Sequence, residues 1–503
     1  MNIAFRVDVT PAMGTGHLMR CLTLATGLRQ RGDHVRFVGR VPDYLRQLLS
    51  DQQCEYTELD APAAGECGDE LAHARWLDGS QAGDAERTAH ALADRRWDWI
   101  AVDHYALDHR WESPLRQLAP RILAVDDLAD RIHDCDVLLD QNLYTNADAR
   151  YHGKVPRPCQ VLLGPRYALL RDEFRRGREQ LAPRTGAIGR VLVNFGGVDA
   201  GNATLRAIDA LIATGETKVA VDVVIGREHP FRHDIEAQCS RHGFAVHVQT
   251  TAMAELMAAA DLAIGAGGTA IWERCCMGLP ALTFAVADNQ RQQVDDAAVA
   301  GLLYAPAAVE GELMPIAVHV AALVRNPRLL QLIALQGQAA VDGRGVARVI
   351  RRLAAGAVTV RGATPSDSGA LLAWRNDPSV RLLSRNRALI DPHDHNEWFA
   401  AALRNRDRVL LVGEIDRVAV GVVRFDVAAE TAEASIYLAP EHQGSGLGPG
   451  LLLAAERRLA AVRPEVRMIT AEVLGGNERS QRLFAGCGYD VQSTQFVKAV
   501  PTP

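Results

Sequence analysis

The sequence predicts an α/β protein: two doubly wound, Rossmann-like domains followed by a smaller α+β domain. Three observations carry this. Short apolar runs alternate with helical stretches through the first 350 residues, two glycine turns each lie between such a run and a helix, and from Val358 the pattern changes to a helix-rich stretch followed by antiparallel strands. At 503 residues the chain exceeds one core, and about three domains are expected. The divisions fall at 1–182, 190–350 and 358–503. Ala182–Gly189, with Pro183 and two glycines, reads as the first linker, and Arg351–Ala357 as the second.

The first element, Asn2–Asp8, reads as a buried strand. A turn at Thr10–Gly16 carries Gly14 and Gly16, and a helix follows over Leu18–Arg31 with apolar residues at Leu18, Cys21, Leu22, Ala25 and Leu28. His17 stands at the junction, where the positive end of a helix favours a neutral imidazole able to accept a proton from water. A lone histidine there also serves as a turn-filling residue. Further strands are expected at Val35–Val38, Trp99–Val102, Arg121–Val125, Val137–Leu139 and Val161–Leu163. In the second domain they are expected at Arg190–Phe195, Val219–Ile225, Ala245–Val248, Leu262–Ile264 and Ala281–Phe284. The stretch 263–290, AIGAGGTAIWERCCMGLPALTFAVADNQ, runs from strand to glycines to helix to strand. Glycines before a helix offer backbone N–H groups to a diphosphate, and Glu273, one turn in, is placed to accept hydrogen bonds from ribose hydroxyls. Ordinary α/β packing produces the same pattern. Ligands of such folds bind at the carboxyl ends of strands, so the two turns are expected to face one another across a cleft.

Composition narrows the class. The formal net charge of −6 gives no electrostatic footprint for nucleic acid, and the arginines form no basic block. The nine cysteines show no metal-ligand spacing and no disulfide framework, so no metal is expected. No apolar run reaches the ~18 residues of a membrane span, and the chain opens directly on a strand. A reduced, cytoplasmic enzyme of small molecules is expected, with no nucleic-acid or membrane partner.

In the third domain, strands at Val409–Glu414, Ala419–Val427 and Glu433–Leu438 lead into Gln443-Gly-Ser-Gly-Leu-Gly448 and a helix through Leu453 to Leu459. The Q-x-x-G-x-G spacing resembles the pyrophosphate loop of the Gcn5-related N-acetyltransferases, and Asn477-Glu-Arg-Ser-Gln-Arg-Leu-Phe-Ala-Gly-Cys-Gly-Tyr489 resembles that family's closing segment. Residues 1–350 resemble the UDP-sugar hydrolase of pseudaminic acid biosynthesis, a relative of the two-domain GT-B glycosyltransferases. The matching segments are FRVDVTPAMGTGHLMRCLTLA, VDHYALDHRW, VDDLADRIHDCDVLLDQNLY, LLGPRYALLRDEF, NFGGVDAGN and GAGGTAIWERCCMGLP with ADNQ. Residues 358–500 resemble the acetyltransferase of the same pathway, notably in WRNDPSVRLLSRNRALIDPHDHNEWF.

The first resemblance implies hydrolysis of UDP-2,4-diacetamido-2,4,6-trideoxy-β-L-altrose to UDP and free sugar. It implies His17 as base, with Gly267, Gly268 and Thr269 at the diphosphate and Glu273 at the ribose. Asn289 and Gln290 would contact the sugar or the water, and Asp103, His104 and Tyr105 would shape the sugar pocket. Asp103 is equally a helix cap, Tyr105 a core residue and Asn289 a turn former. Gly196 and Gly197 with Asn202 would serve the nucleotide cleft or form only a tight turn. The second resemblance implies acetyl transfer from acetyl-coenzyme A to the C4 amine of UDP-4-amino-4,6-dideoxy-N-acetyl-β-L-altrosamine. Its pyrophosphate would lie on Gln443, Gly444, Gly446 and Gly448, with Asn477 nearby and the strand around Ile436 and Leu438 aligning the pantetheine arm. Phe484 stands where many members carry a tyrosine as acid for the thiolate, leaving Tyr489 or water for that role and Glu433 as a candidate base. Two rival readings are a GT-B glycosyltransferase, which releases little UDP without an acceptor, and a UDP-sugar-binding scaffold without turnover.

Overall fold

A computed structural model describes residues 1–10, 13–61, 70–197, 199–214, 219–306, 316–356, 358–384, 387–415, 417–443, 447–474 and 476–492. The chain divides into two compact units, residues 2–349, and residues 350–503 together with Met1.

The first unit holds two parallel sheets. One contains β1 (Asn2–Arg6), β2 (His34–Gly39), β3 (Glu55–Glu58), β4 (Trp99–Val102), β5 (Ile122–Val125), β6 (Val137–Asp140) and β7 (Gln160–Leu163), in the order β3-β2-β1-β4-β5-β6-β7. The other contains β8 (Arg190–Asn194), β9 (Ala220–Ile225), β10 (Ala245–Val248), β11 (Leu262–Ala266) and β12 (Ala281–Phe284), in the order β10-β9-β8-β11-β12. Helices cover both faces of a doubly wound sheet, so its central strands are near-continuous apolar runs, and β4 and β5 are buried at every residue. The chain reverses direction across the first sheet between β1 and β4, and across the second between β8 and β11. Loops leaving the carboxyl ends of those pairs part and open a crevice. His17 follows β1, Asp103 follows β4 and Gly267–Gly268 follow β11, so both switch points carry predicted site residues.

β3 has no counterpart among the expected strands; its EYTE sequence is an edge strand without an apolar run. The helix Asp172–Glu179 packs into the core of the second sheet, where Phe174 lies among Leu192, Ile271 and Trp272. Of the expected linker Arg351–Ala357, residues 351–356 are helical, and Ala357 lies outside the described residues. A helix runs over Gly345–Gly356, with Val349 and Leu353, one turn apart, both buried. Its start packs on the first unit, where Arg348 Nη1 donates to the Arg166 carbonyl at 2.8 Å, whereas Ala354 belongs to the core of the second.

The second unit is a five-stranded sheet of β13 (Thr359–Gly362), β14 (Arg408–Ile415), β15 (Val418–Ala428), β16 (Thr431–Leu438) and β17 (Met468–Thr470), in that order. The strands are antiparallel except for β16 and β17, which run parallel and pair only from Thr431–Met468 to Glu433–Thr470. The helix Gly448–Val462 covers one face through Leu451, Leu452, Ala455 and Leu459, which pack on Val423, Phe425, Ala432 and Ala434. Leu371 and Phe399 cover the other face over Val412 and Val422.

Candidate functional site

The crevice of the first unit is a cleft lined by Gly16, His17, Arg20, Tyr105, Asp127, Gln141, Asn142 and Tyr144 from the first sheet's loops, with Gly268, Thr269, Asn289, Gln290 and Gln293 from the second's. Of the residues expected from sequence, the fold therefore gathers Gly16, His17, Tyr105, Gly268, Thr269, Asn289 and Gln290 around one space.

Helix Gly16–Gln30 begins one residue before His17, which is 7% exposed. Its Nδ1 lies 2.6 Å from Asp103 Oδ1, and Asp103 is wholly buried. Arg20, one turn further along the same helix face, donates from Nε to Asp103 Oδ2 at 2.5 Å and from Nη2 to Oδ1 at 2.6 Å. Burial opposes the charge on Asp103, but Arg20 and His17 outweigh it and hold the carboxyl well below the usual carboxylate range. An ionised Asp103 accepts the Nδ1 proton, which leaves Nε2 as the basic nitrogen of the ring. Tyr105 meets His17 edge to face, with ring centroids 4.7 Å apart, and donates its hydroxyl to Asp127 Oδ1 at 2.6 Å. Burial beside Asp127 pushes the Tyr105 phenol well up, so it stays protonated and a donor. Asp103 thus orients the histidine from behind and does not line the sugar pocket.

The glycine turn corrects one expectation. Gly268 has φ +84°, a conformation that favours glycine. The amides are not all open, however: Gly267 N–H donates to the Phe284 carbonyl at 3.0 Å and Gly268 N–H to Gln293 Oε1 at 3.1 Å. Glu273 stands one turn into the helix Ala270–Cys276 but does not line the cleft; its nearest cation is Arg171, 4.0 Å away. Burial pushes its carboxyl up to about 7. Gly14 lies outside the lining. Gly196 and Gly197 follow β8 and lie outside the lining; a Cβ on either would meet nothing within 4 Å, and Gly196 has φ +95°, a conformation that favours glycine. Asn289 is the second residue of the helix Asp288–Val299 rather than a turn former. Two other buried carboxylates at strand ends, Asp8 and Asp126, are committed to arginines: Asp8 to Arg6 at 2.6 Å and Asp126 to Arg131 at 2.8 Å. Arg20, Asp127, Asn142 and Gln293 escaped the sequence reading. The strand-end rule could have found Asp127 and Asn142, which follow β5 and β6.

In the second unit β16 continues beyond its pairing with β17, so Ile436 and Leu438 lie past the last parallel pair. Gly444 and Gly446 lie outside the described residues. Gln443 ends the turn before them, and Gly448 opens the following helix against Leu483, which a Cβ would meet at 3.2 Å. Asn477 caps the helix Glu478–Gly486 by accepting from Ser480 N–H at 3.1 Å. Tyr489 packs edge to face on Phe484 and donates its hydroxyl to Glu456 at 2.8 Å. That bond and burial raise the phenol, making it a poorer acid for a thiolate than free tyrosine. Glu433 is exposed on β16.

The comparisons with known proteins follow this division. The acetyltransferase (GNAT) domain family matches residues 357–490. The N-terminal part matches the UDP-2,4-diacetamido-2,4,6-trideoxy-β-L-altropyranose hydrolase of Campylobacter jejuni, with 26% identity over 175 residues, covering 35% of this chain and 53% of the relative. It also matches the spore coat polysaccharide biosynthesis protein SpsG of Bacillus subtilis, with 26% identity over 210 residues, covering 40% and 60%. The chain spans between about half and three fifths of the length of the curated relatives it matches. Among solved structures, MurG of Acinetobacter baumannii aligns with a TM-score of 0.46 and 15% identity, over 70% of this chain and 99% of that one. The chain thus joins a unit of two parallel, doubly wound sheets to a unit that matches the acetyltransferase (GNAT) domain family over residues 357–490.

Proposed function

We propose that the chain is a bifunctional enzyme of pseudaminic acid biosynthesis. Its C-terminal unit transfers the acetyl group of acetyl-coenzyme A to the C4 amine of UDP-4-amino-4,6-dideoxy-N-acetyl-β-L-altrosamine. Its N-terminal unit hydrolyses the product to UDP and 2,4-diacetamido-2,4,6-trideoxy-β-L-altrose. The observation that carries the hydrolytic half is the His17–Asp103 pair, set at the mouth of a cleft whose opposite wall holds Gly268, Thr269, Asn289 and Gln290.

In this reading His17 Nε2 takes a proton from water. The water oxygen bonds to the anomeric carbon, and the carbon–oxygen bond to the β-phosphate breaks with its electron pair left on UDP. Asp103 stabilises the imidazolium that forms, as a buried carboxylate behind a catalytic histidine does in other hydrolases. Thr269 and the remaining open amides of its turn take the diphosphate, and Asn289 and Gln290 the sugar. In the acetyl-transfer step the free amine attacks the thioester carbonyl, a carbon–nitrogen bond replaces the carbon–sulfur bond, the departing thiolate takes a proton from water, and the hydroxide so formed takes the proton that the nitrogen sheds. The motif Gln443–Gly448 and the end of β16 that runs past its pairing with β17 support coenzyme binding.

The test uses the full chain, the UDP-4-amino sugar and acetyl-coenzyme A in ¹⁸O-labelled water. Coenzyme A and UDP should both appear, and mass spectrometry should find the label in the sugar and not in UDP. UDP release that requires a sugar acceptor would replace hydrolysis with glycosyl transfer, and tight UDP binding without either product would leave a scaffold.

A further inference from the structure

The hydrogen bonds joining the two sheets of the first unit form one directed chain. The indole of Trp272 can only donate, so its Nε1–H fixes which end of the Asn142 amide faces it: Oδ1 accepts at 3.1 Å. The same Oδ1 accepts from Gln293 Nε2 at 2.8 Å. With its amide nitrogen committed, Gln293 presents Oε1 to Gly268 N–H at 3.1 Å. At the other end Asn142 Nδ2 donates to Asp127 Oδ2 at 3.2 Å, and Arg20 Nη1 donates to the same oxygen at 3.1 Å. Arg20 in turn grips Asp103, which holds His17. Asn142 and Gln293 are both buried, so neither amide can exchange these partners for bulk water without cost. A parallel bond from Thr145 Oγ1 to Asp296 Oδ1, at 2.7 Å, ties the same loop and helix together.

We infer that Asn142 and Gln293 are positioning residues of the hydrolytic site, holding the glycine turn of the second sheet in register with the carboxylate cluster that orients His17. The inference rests on the hydrolase reading above. A diphosphate oxygen arriving at the turn competes with Gln293 for Gly268 N–H. Any shift of the Gln293 amide is passed through Asn142 to Asp127 and so alters how Arg20 divides itself between Asp127 and Asp103. Binding of the nucleotide and alignment of the base are then coupled through two side chains that need touch neither the water nor the anomeric carbon.

The experiment follows the hydrogen-bonded Nδ1 proton of His17 by NMR in the full chain, labelled with ¹⁵N-histidine, as UDP is added, and measures hydrolysis alongside. In the wild type UDP should move this resonance. In Asn142→Leu and Gln293→Leu, UDP should still bind by calorimetry while the resonance no longer responds. Their kcat should fall about a hundredfold with KM little changed, the cost expected of misplacing a catalytic group by about 1 Å. The double variant should be no worse than the more damaging single variant, because both residues lie on one chain. Gln293→Glu separates positioning from packing: ionised, it cannot donate to Asn142, whereas protonated it can, so its activity relative to wild type should recover as pH falls. An unchanged resonance response, an unchanged kcat or strictly additive losses in the variants would overturn the inference and leave the hydrolase reading standing. Failure of UDP to bind the wild type would remove the nucleotide reading and this inference with it.

Discussion

Replacing Asp103 by Asn tests the base assignment most directly, because it changes one atom and leaves the volume of the site intact. The carboxylate accepts from His17, twice from Arg20 and once from Cys21. An Asn keeps one acceptor oxygen, and Arg20, which has only donors, claims it. The new NH₂ then faces His17 Nδ1, which must accept, and the ring proton moves to Nε2, where the base is needed. Restoring the productive tautomer means giving up a buried hydrogen bond and leaving a buried donor unmatched, about 3–5 kcal/mol together. At about 1.4 kcal/mol per tenfold, hydrolysis should fall by about two to four orders of magnitude. Arg20 keeps its 3.1 Å contact with Asp127, so the fold should survive with a lowered melting temperature. The assay is steady-state UDP release from the acetylated UDP-sugar, with UDP affinity by calorimetry and the melting temperature as controls. His17→Ala should lose a similar factor without losing UDP binding or acetyl transfer, and the double variant should be no slower than His17→Ala, since the two side chains act as one unit. An Asp103→Asn enzyme that folds and turns over within tenfold of wild type would show that His17 is a helix-entry residue and that the base lies elsewhere.

Three further outcomes are expected. Hydrolysis should persist in EDTA, since the leaving diphosphate is assigned to backbone amides and a helix terminus rather than to carboxylates; loss of turnover restored by magnesium would contradict this. Fragments 1–356 and 345–503, each keeping the helix Gly345–Gly356 whole, should retain hydrolysis and acetyl transfer respectively, and two folded but inactive fragments would refute two separate catalysts. Gly446→Glu should abolish acetyl-coenzyme A binding through bulk and like charge while leaving hydrolysis intact, and unchanged affinity would remove that loop from the coenzyme site.

What could be read from the sequence follows the physics of burial. Central strands covered on both faces, such as Trp99–Val102 and Ile122–Val125, are apolar throughout and legible in the sequence, whereas the edge strands Glu55–Glu58, Thr359–Gly362 and Met468–Thr470 are too short or too polar to stand out. The helix Gly345–Gly356 runs through most of the expected linker Arg351–Ala357, and its buried residues Val349 and Leu353 lie on either side of that linker's start. His17 and Asp103 were legible because each follows a strand whose end the fold directs at the crevice. Their union was not, since 86 residues separate the partners. The same holds for Asn142 and Gln293, which lie 151 residues apart. The glycine turn shows why local pattern alone falls short. Glycine at 268 permits a backbone with φ +84°, and the sequence displays that permission. It does not display the acceptors that meet the amides, and two of them, the Phe284 carbonyl and Gln293 Oε1, already occupy donors a diphosphate would otherwise use. Glycines therefore mark where a ligand can approach the backbone, while residues remote in sequence decide which donors are open when it arrives.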